Sequence, residues 1–129
     1  MARVVLDSSV LIALISPNDF HHEAAIDATS ANHQYLISAV TLSESLVMPF
    51  RTNVKTAERI RATIEKAVTA VVPINADIAT LAAQARATLT LKMPDALISA
   101  TATHEKSELW TFDKTLASAH KGARLITHP

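Results

Sequence analysis

Glycine and cysteine are almost missing from this sequence. Its 129 residues include one glycine, Gly122, and no cysteine. Rossmann fingerprints, P-loops and nucleophile elbows need glycine where the backbone turns sharply or approaches a ligand, so these motifs are excluded. Without cysteine there can be no disulfide, no thiolate nucleophile and no cysteine-ligated zinc site. Most nucleotide-binding enzymes and the α/β-hydrolases are therefore ruled out.

Long apolar runs, aromatic residues and an excess of one charge are also missing. No apolar run approaches the roughly 20 residues that cross a bilayer, and Asp7 interrupts the short apolar start, which excludes a secretory signal. Aromatic residues make up 4% of the chain, and the 12 basic and 12 acidic residues cancel. A balanced charge is not typical of a nucleic-acid binder, although a basic surface beside an acidic pocket gives the same sum. We expect a soluble cytoplasmic protein with no membrane association.

The hydrophobic pattern predicts strands that alternate with helices in one domain spanning residues 1–129. The predicted strands are residues 3–6, 35–37, 71–74, 108–112 and 124–126. The predicted helices are residues 9–15, 20–32, 38–48 with Ser38 as N-cap, 54–70, 77–89, 94–104 and 114–120. Short, continuously apolar strands are typical of a parallel sheet that is covered on both faces. The sequence therefore predicts an α/β fold with three α/β/α layers around a central parallel sheet.

Four acidic residues lie near the predicted carboxyl ends of strands, where such folds bind ligands. Asp7 and Asp113 each follow a strand, Asp95 opens a helix after Pro94, and Glu44 lies on a largely apolar helix face. We expect all four to be mostly buried. Buried carboxylates that repel one another need a counter-charge, and hard oxygen ligands suit Mg²⁺ or Mn²⁺. The pattern favours a divalent-metal site suited to phosphodiester hydrolysis.

Each acidic residue also has a purely structural interpretation. The three aspartates could cap the following helices or complement their dipoles. Glu44 could reach solvent or pair with Arg51 or Arg86. Asp77 could join the acidic pocket, but Asn75 and Asp77 are more typical of a helix start, which we prefer. The residues alone therefore do not decide between a metal site and these structural roles.

Four segments, in order along the whole chain, resemble the acidic motifs of PIN-domain proteins. They are VVLDSSVLIA at residues 4–13, TLSE at 41–44, PDALISATA at 94–102 and WTFD at 110–113. In that family an aspartate ends the first strand and a serine or threonine follows two residues later. Length and motif style are most similar to the VapC toxins of bacterial and archaeal toxin–antitoxin pairs.

The resemblance implies a function and partners. VapC toxins are Mg²⁺- or Mn²⁺-dependent endoribonucleases that hydrolyse RNA with a metal-activated water. They are usually homodimers and are held inactive by a VapB antitoxin. Carried over by motif, the implied roles are Asp7 and Asp95 as principal metal ligands, Glu44 and Asp113 as the rest of the acidic pocket, and Ser9 and Thr111 as hydrogen-bonding residues that orient Asp7 and Asp113.

Several basic residues are candidates for RNA binding. Arg51, Lys55 and Arg59 recur every four residues and would share one helix face, as a track for RNA phosphates or an antitoxin surface. An ordinary solvated helix face is the interpretation we favour for them. Lys92, three residues before Asp95, is the better candidate for contacting a substrate phosphate.

Other functions and roles remain open from sequence. A PIN-like RNA- or protein-binding module could keep the acids without catalysis, and a structure-specific DNA nuclease could use the same pocket. A phospho-accepting receiver-type domain usually pairs acids after its first strand, whereas here Ser8 and Ser9 follow Asp7.

The adjacent His21 and His22 diverge by about 100° on a helix and cannot easily share an ion. The apolar helix face formed by Ile60, Ile64 and Val68 is predicted as core, and some of it, with Leu46 and Phe50, could instead contact a partner.

Overall fold

A computed structural model describes residues 1–128 of the chain. Its five strands are β1 (Arg3–Leu6), β2 (Gln34–Ser38), β3 (Ala70–Val72), β4 (Glu108–Thr111) and β5 (Arg124–Leu125). Its seven helices are α1 (Ser8–Ile15), α2 (His22–Ala28), α3 (Ala39–Thr52), α4 (Val54–Ala67), α5 (Ala76–Thr88), α6 (Met93–His104) and α7 (Lys114–Ala119). Among the described residues, no helix combines the length and apolar character needed to span a bilayer. The single-domain prediction also includes Pro129, which lies outside the described residues.

The strands form one parallel sheet in the order β3-β2-β1-β4-β5. Side chains alternate across it, so that Val4 and Leu6 join the core under α1 to α4, while Val5 joins the core under α5 to α7. All three are at most 1% exposed, as expected for strands that are covered on both faces. The predicted three-layer α/β/α fold is confirmed.

The strand order opens a crevice at the carboxyl edge of the sheet. The chain leaves the central strand β1 toward β2 and β3 and later returns on the other side of β1 to form β4 and β5. Connections that diverge from two neighbouring strands leave a gap at their carboxyl ends, which is where open α/β sheets bind ligands. Asp7 follows β1 and Asp113 follows β4, so the fold places both at this gap.

Helix α3 continues past the predicted end at residue 48. Ser38 caps it as predicted, because its Oγ accepts a hydrogen bond from the Val40 N–H at 3.1 Å. Pro49 lies inside the helix, which ends only at Thr52. Asn53 is extended, and its Oδ1 accepts a hydrogen bond from the Thr56 N–H at 2.8 Å, which starts α4.

The break at residue 53 corrects one prediction about the basic residues. Arg51 lies on α3, whereas Lys55 and Arg59 lie on α4, so the three do not share one helix face. Spacing of four residues implies a common face only within a continuous helix, and the capped junction interrupts it.

Two other helices are shorter than predicted. The helix predicted over residues 20–32 is α2, His22–Ala28, and the Thr29 N–H and hydroxyl both bond back to the Ala25 carbonyl as it ends. The helix predicted to reach residue 70 ends at Ala67, because the chain extends to pair β3 with β2. That strand, predicted over 71–74, ends before Pro73, which has no N–H to donate to a ladder.

Candidate functional site

Asp7 is buried at the N-terminus of α1 and is fixed by three hydrogen bonds. Asp7 is 4% exposed. Oδ1 accepts from the Ser9 hydroxyl at 2.6 Å and from the Val10 N–H at 3.3 Å, and Oδ2 accepts from the Thr111 hydroxyl at 2.7 Å. A carboxylate offers about four acceptor positions, so one remains for another partner. Asp7 therefore caps a helix and faces the crevice at the same time.

The ionisation of Asp7 reflects two opposing effects. Burial raises the pKa of its carboxyl group above the ordinary value, and the three hydrogen bonds lower the pKa in part. The negative charge of Asp95 raises the pKa of Asp7 further. The net result is a raised pKa, which marks a carboxylate that lacks a nearby positive charge.

The turn after β4 connects to Asp7 through two hydroxyl groups. The Thr111 hydroxyl oxygen accepts from the Asp113 N–H at 2.9 Å, and the Ser9 hydroxyl oxygen accepts from the Phe112 N–H at 3.1 Å. Asp113 itself starts α7, because its Oδ1 accepts from the Thr115 N–H at 2.8 Å. Ser9 and Thr111 thus hold the ends of β1 and β4 in one arrangement around Asp7.

Asp95 lies in the first turn of α6, just after Pro94, and is partly buried. Burial raises the pKa of its carboxyl group, and the negative charges of Asp113 and Glu44 raise the pKa further, whereas the ammonium group of Lys92 lowers it. Hydrogen bonds link the other acids, because Thr111 bonds both Asp7 and the Asp113 N–H, and Ser8, next to Asp7, bonds Glu44. The charge of Asp95 in turn raises the pKa of Asp7. The fold therefore brings all four predicted acidic residues into one neighbourhood.

Glu44 differs from the prediction of burial. It is exposed on α3, and its Oε1 accepts a hydrogen bond from the Ser8 hydroxyl at 2.5 Å. Of its helical neighbours, Thr41 is buried, but Val47 and Met48 are 45% and 65% exposed, so the part of the face that follows Glu44 does not enter the core. Of the four acids, Asp7 alone is buried, because the other three border the open crevice.

Ser8 and Thr41 are site residues whose contacts the sequence did not predict. The Ser8 hydroxyl, which contacts Glu44, also lies 3.2 Å from the hydroxyl oxygen of the buried Thr41. The signal was the pair of adjacent serines after Asp7. Neighbouring side chains at a helix start diverge by about 100°, so two serines reach two different acids.

The donor set fits a hard divalent cation. Within residues 1–128, no three histidine, aspartate or glutamate side chains form a ready-made set of direct ligands. Mg²⁺ in proteins commonly takes one or two carboxylates and keeps several waters, so it does not need such a set. The carboxylate oxygens of Asp7 and Asp95 suit Mg²⁺ or Mn²⁺, and a cation there would offset the burial and the like charges that raise the pKa of both groups.

The remaining candidates lie outside this cluster of acids. Asp77 is exposed at the start of α5, where Asn75 caps the helix by accepting from the Ile78 N–H at 2.8 Å, which confirms the helix-start interpretation. His21 and His22 point to different partners, which are His128 and the Ala13 carbonyl.

Of the four basic candidates, Lys92 is the one whose charge lowers the pKa of a site acid, Asp95. It is exposed at the N-terminus of α6. The exposed side chains of the other three lie on α3 and α4. A role in RNA binding remains a prediction for all four basic residues.

The PIN domain family model matches residues 4–122, and the chain belongs to this family. Several solved structures are similar over nearly the whole chain. One is a toxin–antitoxin complex from Klebsiella pneumoniae, with 28% identity, a TM-score of 0.78 and coverage of 93% of this chain and 94% of that chain. Another is FitAcB from Neisseria gonorrhoeae, with 19% identity, a TM-score of 0.75 and coverage of 94% and 95%.

A third similar structure is the VapC20 toxin of Mycobacterium tuberculosis, described as a toxin that cleaves the sarcin–ricin loop. It has 21% identity, a TM-score of 0.72 and coverage of 95% of this chain and 98% of that chain. At 19% and 21% identity, the similarity to FitAcB and to VapC20 shows a shared fold. No match was found among curated protein sequences.

Proposed function

We propose that this chain is the toxin of a VapBC-type toxin–antitoxin pair and acts as a divalent-metal-dependent endoribonuclease in the cytoplasm. The observation that carries the proposal is the convergence of Asp7, Glu44, Asp95 and Asp113 at the crevice of a PIN fold, where Asp95 is affected by the charges of two of the others. The similarity to a toxin–antitoxin complex at 28% identity supports the toxin assignment. The described activity of the mycobacterial toxin supports RNA as substrate.

In this proposal, Asp7 and Asp95 would hold the cation, and Glu44 and Asp113 would complete the acidic pocket. A bound Mg²⁺ or Mn²⁺ would lower the pKa of a water molecule and offset the charge that develops on the phosphate. The three hydrogen bonds to Asp7 keep its carboxylate in one orientation before substrate arrives.

The outer residues of the site act on water and substrate. Glu44 is exposed and Asp113 is partly exposed, so both carboxylates are open to the crevice, where they orient a water molecule and accept its proton. The ammonium group of Lys92, which already affects Asp95, is placed to contact a substrate phosphate.

The partner proposal is a VapB-like antitoxin together with a second copy of the chain. Around the α3–α4 junction, Val47, Met48, Phe50 and Val54 are 45%, 65%, 54% and 59% exposed. Apolar side chains exposed together in this way are typical of protein interfaces. Leu46, which was considered for the same role, is 8% exposed and belongs to the core, as does the face formed by Ile60, Ile64 and Val68.

The test is cleavage of an unstructured RNA by purified protein freed of any partner, with Mg²⁺ or Mn²⁺. We expect Asp7→Asn and Asp95→Asn to slow cleavage by about 100-fold or more, the size of loss typical when one electrostatic contact to the transition state is removed. Asp77→Asn is the matched control, since Asp77 is exposed at a helix start outside the cluster.

Two results would contradict the proposal. One is that the parent cuts no RNA with either metal, and the other is that the Asp7 and Asp95 variants cut as fast as the parent. Binding of RNA without cleavage would instead favour the non-catalytic regulatory module.

A further inference from the structure

Four rings form a stack at one side of the candidate site, although the chain has few aromatic residues. His21 stacks on Phe112 with ring centroids 4.1 Å apart and an angle of 15° between the planes. His128 lies 4.7 Å from Phe20, 4.9 Å from His21 and 6.0 Å from Phe112. Phe20 also contacts His21 at 5.2 Å. We call these four residues the aromatic stack. Two of the three phenylalanines of the chain belong to it.

The aromatic stack is joined directly to the cluster of acids. Phe112 stands between Thr111, which donates to Asp7, and Asp113. Its backbone N–H donates to Ser9, whose hydroxyl donates to Asp7. Consecutive Cα atoms lie 3.8 Å apart, so the partly buried end of the stack, Phe112, directly precedes the site residue Asp113 in the chain.

The other end of the stack is open to solvent. Phe20 is 82% exposed, and His128 is also exposed. The loop before α2 is nevertheless held in place, because Asp19 Oδ1 accepts from the His21 N–H at 2.8 Å and the Asp19 carbonyl accepts from the His22 N–H at 3.0 Å. The His21 and His128 rings are joined by an N···N hydrogen bond of 2.7 Å. The exposed ring of Phe20 is therefore presented on an ordered support.

Core packing does not account for Phe20, since burial of an apolar side chain is favourable by roughly 25 cal/mol per Å² and this ring forgoes most of it. Flat rings beside a site that is proposed to act on an RNA phosphate suit the bases of single-stranded nucleic acid. Every base has a π-face and can stack on aromatic side chains, whatever the sequence. Histidine rings add donors for a phosphate or a ribose hydroxyl.

We propose that the aromatic stack binds a base of single-stranded RNA beside the candidate site, with the exposed ring of Phe20 as the main stacking surface. The proposal rests on the proposed ribonuclease function and goes beyond it by naming how the substrate strand is held. Bases in a duplex are already stacked on one another, so the proposal predicts preference for unpaired RNA.

The test uses the Asp95→Asn background, in which RNA is expected to be cut about 100-fold or more slowly, and an unstructured RNA carrying a fluorescent 2-aminopurine base. We expect Phe20→Leu and Phe20→Ala to weaken RNA binding by roughly 5- to 100-fold, the range that one base–aromatic stack contributes. Phe20→Tyr keeps the ring and should bind like the parent. Ile26→Ala is the control, because Ile26 is an exposed apolar residue on α2 that is 49% exposed.

A second measurement separates stacking from a general loss of contact. Binding should quench 2-aminopurine fluorescence at one position of the RNA, and Phe20→Leu should remove that quenching. In the active protein, Phe20→Leu should raise KM and leave kcat nearly unchanged, because Phe20 does not touch the reacting phosphate.

The outcomes distinguish this proposal from the proposed function. If the active protein cuts RNA and Phe20→Leu binds as tightly as Phe20→Tyr, the aromatic stack is not a base-binding site and the nuclease assignment stands. If Phe20→Leu changes only association with a protein partner, the stack belongs to a protein interface and the proposal is overturned. If the parent neither binds nor cuts RNA, both proposals fail.

Discussion

Asp7 is the residue on which the arrangement of the site depends most. Nearly all of its accepting capacity is used by groups on two different strand ends, so its carboxylate cannot rotate freely. Such a residue holds a cation in a defined position only while its hydrogen-bond donors stay in place. Ser9 and Thr111 are therefore positioning residues, and their effect can be separated from that of Asp7.

We expect Thr111→Val to weaken Mn²⁺ binding by about 10- to 100-fold, the effect typical of removing a residue that orients a ligand. Valine keeps the branched shape and removes the hydroxyl that donates to Asp7 at 2.7 Å. Calorimetric titration with Mn²⁺ measures the change. Thr115→Val is the control, because Thr115 is exposed on α7 and offers the site only its backbone N–H to Asp113. Unchanged Mn²⁺ affinity in Thr111→Val would show that this hydroxyl does not position Asp7.

For single residues, the sequence predicted which acids form the site better than it predicted how buried each of them is. Asp7 and Asp113 could be found because each directly follows an apolar strand. The exposure of Glu44 could not be found, since its apolar helical neighbours suggested a core face. An apolar face that meets no other part of the protein has the same sequence pattern as one that does.

Helix α3 contains a proline in its interior, and this residue lowers the stability of the helix. Pro49 has no N–H, so the carbonyl of Ser45 receives no helical hydrogen bond from that position. Ser45 is buried, and its hydroxyl has no hydrogen-bond partner among the described residues. The helix ends at its C-cap residue Asn53, whose N–H donates to the Pro49 carbonyl at 3.1 Å.

We expect Pro49→Ala to raise the free energy of unfolding by about 1–2 kcal/mol. An interior proline costs a helix about 3 kcal/mol, and this is partly offset because proline restricts the unfolded chain by up to about 1 kcal/mol. Urea unfolding measures the difference. Pro17→Ala in the exposed turn before α2 is the control and should not be stabilising. A less stable Pro49→Ala variant would indicate that the local backbone geometry at Pro49 is required for packing.

Element types were predictable because each strand is a short apolar run and each long helix has a repeating apolar face. Element ends were less predictable, because tertiary contacts decide them. The end of α4 at Ala67 depends on the pairing of Ala70 with Leu36 in the neighbouring strand, and no local signal encodes that partner. Arg51 was assigned to the face of Lys55 and Arg59 from spacing alone, although the Asn53 cap that separates α3 from α4 is a local signal.

On the scale of the whole molecule, equal numbers of acidic and basic residues conceal an uneven distribution. The charges of Asp113 and Glu44 raise the pKa of Asp95, and the charge of Asp95 raises the pKa of Asp7, whereas among the basic groups of residues 1–128 Lys92 alone lowers the pKa of Asp95. A zero net charge was mild evidence against a nucleic-acid enzyme, and it could not show this local excess. The fold class followed from the alternation of strands and helices, whereas the meeting of residues 7, 44, 95 and 113 followed from the strand order.

The stability of the whole molecule should fall as the pH falls through the titration range of His120. Burial lowers the pKa of His120 below its ordinary value of 6.5, and its Nδ1 lies 2.6 Å from the hydroxyl oxygen of Ser99 on α6. The unfolded chain therefore binds a proton more readily than the folded chain. The stabilising contribution is complete above pH 6.5 and is lost as the pH drops through the lower, folded pKa.

Urea unfolding at pH 7.5 and below pH 6 measures this effect in the parent and in His120→Gln. We expect the parent to lose more stability than the variant over that interval, because glutamine does not titrate. Equal losses in the two proteins would show that His120 does not contribute to the pH dependence.

The bond between Thr111 and Asp7 joins residues 104 positions apart in the sequence. During translation, the first strand and its aspartate leave the ribosome long before the residues that complete their surroundings. A nascent chain therefore carries only part of the site until residue 113 has been synthesised and released from the exit tunnel. If the chain cuts RNA, this order of synthesis keeps the nascent chain inactive until Asp113 is free to join the other acids of the site.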